Sequence, residues 1–96
     1  MKKDKQNIDI LYKALLSLKS ERECEAFLAD LCTPQEIDAM AQRLSVAVML
    51  NKGAVYNQIV TETGASTATI SRVNKTLTYQ TAGGYEIVLE RIKDDV

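Results

Sequence analysis

The 96-residue sequence contains no histidine, one proline, four glycines and two cysteines. Two cysteines without histidine cannot complete a zinc site, because no carboxylates stand at spacings that would supply the other ligands. The hydroxyls of Ser66, Thr67, Thr69 and Ser71 have no general base to activate them, which argues against nucleophilic catalysis. No phosphate-cradling glycine-rich loop is present, and Gly83-Gly84 reads as a hinge. The expectation is a protein that is not an enzyme and holds no metal. So little proline and glycine leaves long windows free to be helical, and the abundant alanine and leucine point to an all-α chain. The aromatic residues are only five (Tyr12, Phe27, Tyr56, Tyr79 and Tyr85), so the core must be aliphatic.

Linkers, low-complexity tracts and internal repeats are also missing, which predicts one domain over residues 1–96. The N-terminal MKKDKQN has no apolar segment after it of the kind a secretion signal needs, and no run approaches membrane-spanning length. A soluble, cytoplasmic protein with no membrane partner is expected. Cys24 and Cys32 lie eight residues apart on a probable helix, too distant for a disulfide. They read as buried thiols in a reducing compartment.

The formal net charge is −1, and its distribution matters more than its sum. Residues 1–38 carry six basic and eight acidic groups; residues 39–85 carry Arg43, Lys52, Arg72 and Lys75 against Glu62 alone. No carboxylate occurs from Thr63 to Tyr85. A locally cationic segment of this kind is compatible with phosphate binding, although the low overall charge predicts weak non-specific affinity.

Apolar periodicity lays out the scaffold. Ile8, Leu11, Tyr12, Leu15 and Leu16 follow the spacing of a one-faced helix, and Cys24, Phe27, Leu28, Leu31 and Cys32 repeat it behind a Ser20/Glu23 capping box. Thr33-Pro34-Gln35-Glu36 is the clearest helix start, with Thr33 as cap, Pro34 in the first helical position and Glu36 bonding back. The third helix should end near Asn51, at Lys52-Gly53. Its Val46-Ala47-Val48-Met49-Leu50 run is apolar all round and must be enclosed, either as a central core helix or within a dimer interface, the reading preferred here. A short final helix after Gly84 carries Tyr85, Val88, Leu89 and Ile92.

The segment Tyr56 to Lys75, YNQIVTETGASTATISRVNK, reads as two short helices pinned at about a right angle, a helix-turn-helix over about 55–77. Ile59, Val60, Ala65, Ile70 and Val73 should face inward, with Gly64 at the turn. Thr63 stands where an aliphatic residue would normally plug the corner. A short αα-hairpin in any helical bundle carries similar features. As a helix-turn-helix, the second helix, about Ser66 to Leu77, would enter a major groove of double-stranded DNA. Ser66, Thr67, Ala68, Ser71, Arg72 and Lys75 would then face DNA, with Asn57, Gln58 and Thr69 placed for phosphates. The competing reading is a helical protein-interaction module that docks a transcription component without reading DNA, which the acidic overall balance favours.

Thr33-Pro34-x-Glu36, a long helix containing Arg43, the Lys52-Gly53 break, Gly64-Ala65 and Ala68-Thr69-Ile70-Ser71-Arg72 together resemble the Trp repressor superfamily, in particular its YerC/YecD-type, Trp-repressor-like branch. The resemblance implies about six helices, an intertwined homodimer and transcriptional regulation, with repression as the expected sense, at an operator of two-fold symmetry. Within that family the Trp repressor itself uses an indole corepressor held partly by two arginines, whose positions Arg43 and Arg72 match; Arg43 reads otherwise as a solvated or helix-capping side chain, and for Arg72 a phosphate contact is the preferred reading. Val73 departs from the family pattern, which has glycine beside the ligand. A valine there should fill the cavity, so no tryptophan cofactor is expected.

Overall fold

The computed structural model describes residues 2–80 and 82–96. Among these described residues six helices follow one another: α1 (Lys2–Ser17), α2 (Glu21–Leu31), α3 (Pro34–Asn51), α4 (Tyr56–Thr63), α5 (Thr67–Tyr79) and α6 (Gly84–Ile92). The protein is all-α, as expected. Two compact units divide the chain, Met1–Ile37 and Asp38–Val96.

In the first unit, local hydrogen bonds define the helix ends. Ser20 Oγ accepts from the Glu23 N–H at 3.1 Å, but the Glu23 carboxylate accepts from Lys19 N–H, one residue before the cap, rather than closing the box on Ser20. At the start of α3 the box is complete: Glu36 N–H donates to Thr33 Oγ1 at 3.1 Å, and Thr33 N–H donates to Glu36 Oε1 at 2.8 Å. That backbone donation, followed by the Thr33 side chain, holds the Glu36 carboxyl below its ordinary 4.5. Neither α1 nor α2 contains a fully buried residue. Leu16 is 87% exposed, and Ile8, Leu15 and Leu31 are also open to solvent. The expected burial of both thiols is corrected accordingly: Cys24 is exposed and Cys32 half-buried, each a free thiol. Two short helices with one apolar face each do not provide enough surface to enclose them.

The second unit holds the core. Val46, Ala47, Ile59, Ala65, Ile70, Val73 and Leu89 are buried, with Val48, Met49, Leu50, Ala54, Leu77, Tyr85 and Ile92 packed around them. The apolar run on α3 is thus enclosed at Val46 and Ala47 and only half-buried from Val48 to Leu50. Val60 corrects the expected inward set, being 37% exposed. In an eight-residue helix, Ile59 and Thr63 share the inward line at i, i+4, and Val60 falls one step of about 100° away.

Candidate nucleic-acid interface

The helix-turn-helix is α4, a three-residue turn and α5. Gly64 ends α4 at φ +72°, where its N–H donates to Val60 O at 2.9 Å. That left-handed conformation is open to glycine without a Cβ penalty. The polar corner residue Thr63 is fully engaged. Its hydroxyl donates to Ile59 O at 2.7 Å and accepts from Ala65 N–H at 3.1 Å. From α3, Gln42 Nε2 donates to Thr63 O at 3.2 Å. Threonine therefore replaces an aliphatic plug with local hydrogen bonds.

Ser66 caps α5 rather than forming its first turn: its Oγ accepts from Thr69 N–H and donates to Thr69 Oγ1, both at 3.1 Å. Beyond the cap, Ile70 and Val73 turn into the core, which leaves a polar stripe outward. Thr67, Ala68, Arg72 and Lys75 are exposed, as is Ser66, while Thr69 and Ser71 are half-buried. On the first turn of α4, Asn57 and Gln58 are exposed. Gln58 Nε2 reaches Glu62 Oε1 at 3.4 Å, engaging the one carboxylate of residues 39–85. Among the described residues the salt bridge is Lys93–Glu90, on the exposed face of α6, so Arg72 and Lys75 have no carboxylate partner.

Arg43 and Arg72 come together at one hollow of about 320 Å³ between α3, α5 and α6. Ala39, Gln42, Thr69, Val73, Thr76 and Tyr85 complete its wall. Val73, which is 4% exposed and part of the core, lines this hollow beside the two arginines. Thr76 turns its hydroxyl back to Arg72 O at 3.2 Å. Ala39, Gln42 and Tyr85 join this wall without any motif in the sequence to mark them. Contacts between residues so distant in the chain leave no local signature. Among the described residues, no three histidine, cysteine or carboxylate side chains cluster closely enough to hold a metal ion.

The family model described as Trp repressor protein matches residues 6–93. The uncharacterized protein YerC of Bacillus subtilis (strain 168) is 52% identical over 89 residues, which cover 93% of this chain and 85% of that protein. Among solved structures, a TrpR-like protein from Eubacterium eligens ATCC 27750 superposes with a TM-score of 0.86 at 46% identity, covering 92% of this chain and 90% of its own. A candidate Trp repressor from Staphylococcus aureus gives the same TM-score at 43% identity, covering 92% and 87%. Six helices in this order, a glycine-cornered helix-turn-helix and a match along nearly the whole sequence agree: the chain belongs to the Trp repressor family, and is a DNA-binding regulator rather than an enzyme.

Proposed function

We propose that two copies of the chain form an intertwined homodimer that represses transcription by reading a two-fold symmetric operator with its paired α5 helices. The carrying observation is the outward stripe Thr67, Ala68, Ser71, Arg72 and Lys75, free of acidic residues, on a helix whose opposite side is anchored by Ile70 and Val73. Small and hydroxylated groups at the helix start suit close approach to base edges, with Ala68 able to contact a thymine methyl. Ser66, although engaged as the cap, stands at the same end. Asn57, Gln58 and Thr69 are positioned for phosphates, and Arg72 and Lys75 supply the positive charge.

Dimerisation is supported by the apolar side chains that one copy leaves in solvent on α1, on α2 and at Leu44 and Met40 of α3. A second copy of the same faces would bury them. The two copies would then act as a single domain spanning residues 1–96 of each. Such a regulator works in the cytoplasm, and no helix among the described residues is long and apolar enough to cross a membrane. Tryptophan is not its corepressor in this reading. Both arginines and Val73 line the hollow, and a branched side chain where the family pattern has glycine would overpack against an indole ring.

Selection from a random DNA pool tests the proposal. It should return a palindrome whose half-sites are centred about one helical turn apart. A pool that stays unenriched, with a dimer that binds no DNA at low salt, would transfer the function to protein interaction.

A further inference from the structure

The last carbonyls of any helix lack intrahelical donors, and the end of α4 is also the corner of the DNA-reading motif. Three hydrogen bonds close this corner locally. Gly64 N–H reaches Val60 O, Ala65 N–H reaches Thr63 Oγ1, and the Thr63 hydroxyl reaches Ile59 O. These bonds stay within α4 and its turn. The Thr63 carbonyl is different, because its donor is the Gln42 side chain, 21 residues earlier on α3. The contact is part-buried, where an amide–carbonyl bond is less exposed to competition from water.

We infer that Gln42 is a positioning residue for DNA reading: its side-chain amide, donated to the Thr63 carbonyl, pins the corner of the helix-turn-helix to α3 and so sets the direction of α5. The inference rests on the DNA-reading role of α5 proposed above. Its mechanical basis is short. Gly64 and Ala65 alone separate Thr63 from the cap residue Ser66, so a shift at the corner is carried into the start of α5. Ile59, Ala65, Ile70 and Val73 anchor the motif through apolar contacts, which resist separation more than sliding. A directional hydrogen bond adds the constraint that those contacts lack. Donor and acceptor belong to the same chain, so the constraint is in place before DNA binds.

A positioning role separates two kinds of DNA affinity. Binding to random DNA depends on cations and phosphates and tolerates a tilted helix, whereas operator binding requires base edges to meet side chains. The ratio of operator to random-DNA affinity is therefore the informative readout, measured by fluorescence anisotropy alongside light scattering and thermal melting. Gln42→Met keeps the length of the side chain and removes the donor. Gln42→Asn keeps the amide but withdraws it by one methylene, and provides the same reading should the methionine variant fail to fold. Each should lower the ratio by roughly tenfold, comparable to losing one base-edge contact, with random-DNA affinity and dimer mass unchanged. An unchanged ratio in either folded dimer would overturn the inference while leaving DNA reading by α5 intact. Absence of operator binding by the wild type would overturn both.

Discussion

Arg72 and Val73 are neighbours in sequence with opposite environments, one exposed on α5 and the other buried in the core. The division follows from helical geometry, and it makes each a separate test. Arg72→Ala should leave the fold intact and weaken DNA binding. A base contact would cost about 1–3 kcal/mol and relax preference at one operator position, whereas a phosphate contact would weaken all sequences alike and lower the salt slope by about one. Val73→Gly should lower the melting temperature through lost packing and helix propensity, while opening the hollow beside the two arginines. Wild-type protein should give no saturable heat with tens of micromolar tryptophan; binding that disappears in Arg43→Ala would contradict the reading of Val73. Periodicity read Ile59, Ile70 and Val73 correctly as core but missed Val60, since two adjacent apolar residues on one short helix cannot share its inward line. It also could not reveal that Gln42 bonds to Thr63, a contact made only once the chain has folded.

Helix boundaries were the most legible feature, because caps are written locally. The start of α3 at Pro34 and its end at Asn51 match the sequence reading, and the Thr33/Glu36 box forms in full. The depressed Glu36 carboxyl implies a definite pH dependence. A group whose pKa is lowered by folding contributes stability above its unfolded value and loses it as pH falls through the folded one. Glu36→Ala should therefore melt below the wild type at neutral pH, and the gap should narrow as pH falls below 4.5, as differential scanning fluorimetry across pH would record. At the corner, Gly64→Ala should cost about 1–2 kcal/mol for the left-handed backbone alone. A Cβ there would meet nothing nearer than Gln42 Nε2 at 3.9 Å. Gln80, which ends α5 at φ +47° without being glycine, predicts the reverse. Gln80→Gly should stabilise by about 0.5–1 kcal/mol in chemical denaturation, relief of strain exceeding the added freedom of the unfolded chain.

A single copy buries its core within residues 38–96 and leaves the apolar faces of α1 and α2 open, which is the strongest physical reason to expect a partner copy. The sequence showed those faces clearly. It could not show that one chain leaves them uncovered, because amphipathic spacing states which side is apolar and not what covers it. Leu44, 39% exposed in one chain, should lie in the dimer interface, so Leu44→Ala should weaken association by about 1–5 kcal/mol in sedimentation equilibrium. The few cations of residues 39–85 also predict a shallower dependence of DNA affinity on salt than in strongly basic repressors. Whether α5 reads DNA is tested most directly by titrating a selected operator with wild-type dimer and with the combined variant Thr67→Ala, Arg72→Ala, Lys75→Ala. Operator affinity should collapse to the level of random DNA in a variant that remains a folded dimer; equal affinity for the operator in both proteins would contradict the account.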